Sequence, residues 1–177
     1  MKINVVNEGV KWGSICGLIA VLIMYGSWAA GLTTFVSAQF WANFIPYMIV
    51  IIIIAGLQLK KRNDGILPYS QALKFSFLCY VIVGLIVAIA TYVLYNLIDK
   101  ELTQKSLQIA MEKTRVMMEK FGASEEDIAK AVKRTEDSGG DTGLGKIFLG
   151  TGLFLIWDFC KSLLIALAIR KEEKFAD

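Results

Sequence analysis

Four long runs of apolar residues, separated by short polar stretches, leave this chain few ways to fold. They lie at about Trp12–Leu32, Gln39–Leu59, Phe75–Ile98 and Ile147–Ile169. Each holds roughly the 20 residues that a helix needs to cross about 30 Å of hydrocarbon. A helix also satisfies its own backbone hydrogen bonds where there is no water to do so. The first run has no charged residue, and the second contains the aliphatic stretch Ile49 to Ile54. The chain is 55% apolar with a mean hydropathy of +0.54, above the roughly 45–50% apolar content of soluble domains. The predicted fold class is all-α: an integral membrane bundle of four transmembrane helices, with an extracytoplasmic helical hairpin between the third and fourth. Residues 1–98 form a membrane domain holding three spans, 99–146 the extracytoplasmic segment, and 147–177 the fourth span and a tail.

Orientation follows from basic residues in the short loops. The connection Thr33–Ala38 between the first two spans has no charge, whereas the next loop carries Lys60, Lys61, Arg62 and Lys74. The start carries Lys2 and Lys11, and the tail Arg170, Lys171 and Lys174. Both termini and the second loop are therefore placed in the cytoplasm. The segment Asp99–Lys146 holds nine basic and ten acidic residues and is placed outside. Trp28, Phe35, Phe40, Trp41, Phe44, Tyr92 and Tyr95 cluster at the outer interface, and Trp12 and Tyr69 at the inner one, the depth that amphipathic rings favour. The first run is too long for a signal peptide and no A-x-A site follows it, so it reads as a retained helix. Pro46 removes one backbone donor in the second span and is expected to kink it.

The extracytoplasmic segment has a helical pattern. Leu107, Ala110, Met111, Met117, Met118 and Phe121 recur at near-helical spacing. Gly122 reads as a helix stop. Ser124 and Asp127 form a capping box, with Glu125 and Glu126 complementing the first turn of a second helix. Glu101–Phe121 and Glu125–Thr135 are thus predicted helices, followed by a glycine-rich return over Asp137–Gly145. Met111, Met117, Met118 and Phe121 form a candidate partner face, since methionine adapts to many surfaces. The alternative is that the stripe packs within its own hairpin.

The chain offers little chemistry. It has no histidine, which removes His-based acid–base catalysis, His-ligated haem and most zinc sites. Cys16, Cys79 and Cys160 fall in separate apolar runs and read as small apolar residues. No paired carboxylates, activated nucleophile, phosphate loop or metal-ligand spacing is found. The net charge of +3 gives no nucleic-acid face. No enzyme activity, cofactor or metal is expected; the expected partners are the lipid bilayer and either another membrane protein or further copies of this chain.

Two groups of residues stand out. Asp158 and Lys161 lie near the middle of the fourth span, on about one helix face. An ionisable group at that depth costs at least a few kcal/mol, roughly 3 on insertion scales. The pair is a structural ion pair, a proton- or ion-coupled element, or a contact to another subunit. Gly13 and Gly17 form a GxxxG, and Gly26 with Ala30 repeats that spacing. These small residues suit close helix packing, inside the bundle or between copies. In the second loop, Gly65 marks a turn, Ser70 is a candidate cap for the third span, and Lys60–Arg62 is suited to anionic lipid.

The stretch Lys11-Trp12-Gly13-Ser14-Ile15-Cys16-Gly17-Leu18, the run Gly65-Ile66-Leu67-Pro68-Tyr69-Ser70-Gln71-Ala72-Leu73, and Phe121-Gly122-Ala123-Ser124-Glu125-Glu126 resemble the motifs of the DUF4199 family. Tyr69 stands where that family often shows Phe, and the Asp158–Lys161 pair is not part of its pattern. The resemblance covers nearly the whole chain. It implies a small membrane protein of the kind found mostly in Bacteroidota, with an extramembrane helical segment before the last span and no assigned activity. The expected function is a non-enzymatic accessory or scaffold subunit. The alternative is a small oligomeric transporter built around Asp158 and Lys161.

Overall fold

A computed structural model describes residues 4–44, 47–139 and 143–171. Lys2, Pro46 and Lys174 lie outside these residues, and so do the side chains of Phe40 and Phe44. Seven α-helices account for most of the described chain: α1 (Val5–Ala29), α2 (Leu32–Phe44), α3 (Tyr47–Arg62), α4 (Tyr69–Val93), α5 (Leu102–Lys120), α6 (Glu125–Gly139) and α7 (Leu144–Ile169).

Local chemistry sets several of the boundaries. The Asn4 side chain accepts hydrogen bonds from the amides of Val6 and Asn7 and so caps α1. Gly31, at φ +112°, takes the chain from α1 into α2 through a turn that an L-residue adopts only under strain. Gly122, at φ +72°, ends the hairpin's first helix, and the Ser124 hydroxyl accepts from the Asp127 amide at 3.2 Å at the start of α6. Pro68, and not Ser70, occupies the cap position of α4, and Ser70 falls inside the first turn. A π turn over Leu94–Ile98 closes α4, with the Asp99 amide donating to the Leu94 carbonyl at 2.9 Å.

Among the described residues, three helices are long and apolar enough to cross a membrane: Val5–Ala29, the continuous Tyr69–Ile98, and Leu144–Ile169. The second predicted span, about Gln39–Leu59, is not among them. Its residues divide between α2 and α3, of 13 and 16 residues. At about 1.5 Å per residue, neither covers about 30 Å. The expected loop Thr33–Ala38 is itself helical, because the single turn at Gly31 reverses the chain and nothing in Leu32–Phe44 interrupts a helix.

Even so, the chain travels the length of the bundle four times. Glu8 near the start of α1 pairs with Arg62 at the end of α3 at 3.1 Å. Leu67, just before α4, exchanges two 2.9 Å backbone hydrogen bonds with Lys171, just after α7. One end of the bundle thus gathers the start of α1, the end of α3, the start of α4 and the end of α7. At the other end the Trp28 indole N–H donates to the Asp99 carboxylate at 3.3 Å, and the Tyr25 hydroxyl donates to the Ala90 carbonyl at 3.0 Å. So α1 and α4 run one way, and α3 and α7 the other. The return from α1 is made by α2 and α3 in series.

Two apolar clusters hold this arrangement. The larger joins α1, α3, α4 and α7 through Cys16, Ile52, Ala55, Phe75, Cys79 and Ile165, among others. The smaller, at the far end, joins Met24, Phe35, Leu94 and Leu102. Phe35, expected at the lipid interface, is instead almost fully buried there. Outside these clusters the polarity is that of a membrane protein. Leu22, Ile89, Leu153, Ile156, Trp157 and Leu164 are all more than half exposed, and exposed apolar surface of this kind is unfavourable in water by about 25 cal/mol per Å².

Candidate functional site

The polar residues of the bundle interior collect where α4 meets α7. Lys161 Nζ lies 2.6 Å from Asp158 Oδ1, one helix turn earlier on α7. The two side chains are 28% and 18% exposed, so the pair is largely enclosed by protein. The Lys161 ammonium also sits 5.2 Å from the centre of the Tyr80 ring on α4. That separation permits a cation–π attraction, which strengthens as water is removed. The ammonium is therefore shared between a carboxylate of its own helix and an aromatic face of the neighbouring one. Taken together the three groups carry no net charge.

The surrounding hydroxyls are already satisfied. Ser162 donates to the Asp158 carbonyl at 2.7 Å, and Ser76 donates to the Ala72 carbonyl at 2.8 Å, each bonding back to its own helix. The buried Tyr80 hydroxyl has no such partner. A buried donor left unsatisfied is unfavourable by about 1–3 kcal/mol. Tyr80→Phe, which keeps the ring over Lys161 and removes the hydroxyl, is expected to leave thermal stability in detergent unchanged or raise it. Tyr80→Leu, which removes the ring, is expected to lower it. Melting curves of the two variants check this, and a loss of stability in Tyr80→Phe equal to that in Tyr80→Leu would contradict the assignment.

The glycines of α1 are not equivalent. A Cβ at Gly13 would stand 2.9 Å from the Cys79 carbonyl oxygen and 2.9 Å from Ile82 Cβ, and one at Gly17 would stand 2.8 Å from Ile86 Cδ1. Gly9 extends the same line toward Leu78. These three positions form the contact with α4. Nothing lies within 4 Å of a Cβ at Gly26, and Ala30 is the exposed cap of α1. The stripe on α5 also divides. Met111 and Met118 are half-buried, whereas Met117 is 45% and Phe121 84% exposed.

Sequence reasoning passed over Tyr80 and Gly9. Tyr80 is a hydroxyl-bearing ring inside an apolar run, past the interface where such rings normally sit. Gly9 continues the four-residue spacing of Gly13 and Gly17. Among the described residues, no group of three or more Cys, Asp or Glu side chains is placed to hold a metal ion.

A family model described as a protein of unknown function, DUF4199, matches residues 11–171. No curated protein and no solved structure matches the chain.

Proposed function

Because the chain belongs to the DUF4199 family, whose members have no assigned function, we propose a role from the physics of the fold: a non-enzymatic accessory or scaffold subunit of the bacterial inner membrane. The observation that supports this most is the filled interior. Ile52, Ala55, Phe75, Cys79, Ile165 and Ala166 are at most 1% exposed, so the bundle centre is packed side chain against side chain. The apolar surface that remains faces outward, where it meets lipid or the span of another protein.

The basic residues support a cytoplasmic placement for both ends. Lys60, Lys61, Arg62, Arg170 and Lys171 all belong to the end of the bundle tied by the Glu8–Arg62 pair and the Leu67–Lys171 bridge. Such clustering next to spans favours the cytoplasmic leaflet. On this reading α2 and α3 together make the fourth crossing. A small oligomeric transporter remains the second reading, and it is favoured by one feature only, the Asp158–Lys161 pair at mid-span.

Purification of the doubly tagged chain from its native membrane in mild detergent tests these readings. The accessory role expects a membrane protein partner in fixed stoichiometry and both tags on one side of the bilayer. A homo-oligomer with Asp158 accessible to water would overturn it in favour of transport.

A further inference from the structure

Helix α5 begins at the edge of the bundle and runs past it. Its first residue, Leu102, is buried with Met24, Phe35 and Leu94. Further along, Lys113 Nζ donates to Ser37 Oγ on α2 at 2.7 Å. Leu102 and Lys113 are about 16 Å apart along α5, whereas Phe35 and Ser37 are about 3 Å apart along α2. Two contacts so unequally spaced mean that α5 crosses α2 steeply. Met24, Tyr25 and Trp28 share a cluster with Leu32, Phe35 and Val36, so α2 packs back along the last turns of α1 and follows the direction of the spans. A helix that crosses α2 steeply therefore lies broadly parallel to the bilayer plane.

Successive helix residues turn by about 100°, which puts Leu102, Lys113, Val116, Met117 and Lys120 within about 60° of one line along α5. The first two meet the bundle. Val116 and Met117 are 39% and 45% exposed, because the line continues beyond the bundle edge. α6 packs on α5, and the half-buried Met111 and Met118 lie opposite the bare line.

We propose that the C-terminal half of α5 is an interfacial helix, and that its line of Val116, Met117 and Lys120 seats on the phospholipid head groups beside the bundle. Two arguments select lipid as the occupant. The bare line continues the face with which α5 meets the bundle, so past the edge it points at the adjoining leaflet. Its surface, lined by Val116 and Met117 with Lys113 and Lys120 beside them and Glu112 as a single carboxylate at the rim, carries a net positive charge, which matches acyl chains under phosphates. The inference goes beyond the accessory role and rests on the bilayer placement of α1, α4 and α7.

Spin labels test it in the full-length chain carrying Cys160→Ser, because Cys160 is the exposed cysteine. Met117→Cys, Glu119→Cys and Leu153→Cys are labelled singly in nanodiscs of phosphatidylcholine and phosphatidylglycerol. Collisions with oxygen report lipid, and collisions with a water-soluble nickel chelate report water. The label at position 117 is expected to give an oxygen-to-nickel ratio several-fold above that at position 119, and Lys120→Glu is expected to lower it. Equal ratios at 117 and 119 would overturn the inference. So would a label at 117 shielded from both reagents, because protein would then cover the line. A label at 153 that the nickel chelate reaches would instead overturn the bilayer placement, which separates the two failures.

Discussion

Gly13→Val is expected to unfold much of the protein in detergent, whereas Gly26→Val, made on the same helix, is expected to leave it folded. At Gly13 the new Cβ would meet the Cys79 carbonyl oxygen at 2.9 Å and Cys79 Cα at 3.1 Å. These are backbone atoms of α4 and have no rotamer to escape into, so relief requires moving α1 away from α4. Separating two helices that pack along Gly9, Gly13 and Gly17 loses contacts over several turns. Overpacking of this kind costs about 1–3 kcal/mol, and a rigid backbone obstacle puts Gly13 at the upper end. Gly17 is an intermediate case: its near neighbours all belong to the Ile86 side chain, whose Cδ1 methyl at 2.8 Å turns away, whereas its Cβ at 3.1 Å yields only if the helices shift slightly. At Gly26 a Cβ meets nothing within 4 Å. Thermal melts of Gly13→Val, Gly17→Ala and Gly26→Val in one detergent give the ranking. If Gly13→Val melts with Gly26→Val, then α1 does not lie against α4 in the way described.

Breaking the Asp158–Lys161 pair on one side is expected to be worse than removing both charges. In Lys161→Met the Asp158 carboxylate loses the ammonium 2.6 Å away while remaining in the middle of α7. Removing one partner of a buried ion pair costs about 3–5 kcal/mol, and replacing both with apolar groups of similar volume is often neutral or stabilising. Asp158→Leu leaves the ammonium beside Tyr80 with the ring alone for a partner. The double variant Asp158→Leu/Lys161→Met leaves a Met under the same ring, a contact that suits sulfur. Each single substitution is therefore expected to lower the melting temperature, and the double to recover most of the loss. A double variant no more stable than the worse single would show that the two charges act separately. An Asp158→Asn protein that folds normally but loses a cellular phenotype would move the balance toward transport.

The sequence revealed most where the physical cause acts along the chain. The long uncharged runs at Trp12–Leu32 and Phe75–Ile98 read as helices because burial in lipid forces a backbone to bond to itself. The structure finds helices there, starting seven residues earlier at Val5 and six earlier at Tyr69. The hairpin was legible for the same reason. Gly122 and Ser124 act on their immediate neighbours, and α5 and α6 begin and end within a few residues of the expected bounds. The second crossing was less legible. Apolar length alone does not show that Gly31 reverses the chain and lets helix begin at Leu32, so it predicts a loop at Thr33–Ala38 where the structure has helix.

The candidate site divides along the same line. That Asp158 and Lys161 share a helix face follows from their spacing of three, and the sequence determined it without help. That Tyr80 lies over Lys161 depends on how α7 packs on α4, two helices about fifty residues apart in the chain. The sequence likewise determined that Gly13, Gly17, Gly26 and Ala30 are small, and gave the two pairs the same weight. Only the tertiary structure decided that the first pair touches α4 and that the second is exposed, with nothing within 4 Å of a Cβ at Gly26. Helix formation is a local balance of backbone hydrogen bonding and solvation. Which side of a helix meets a neighbour is set by the packing of all the helices at once.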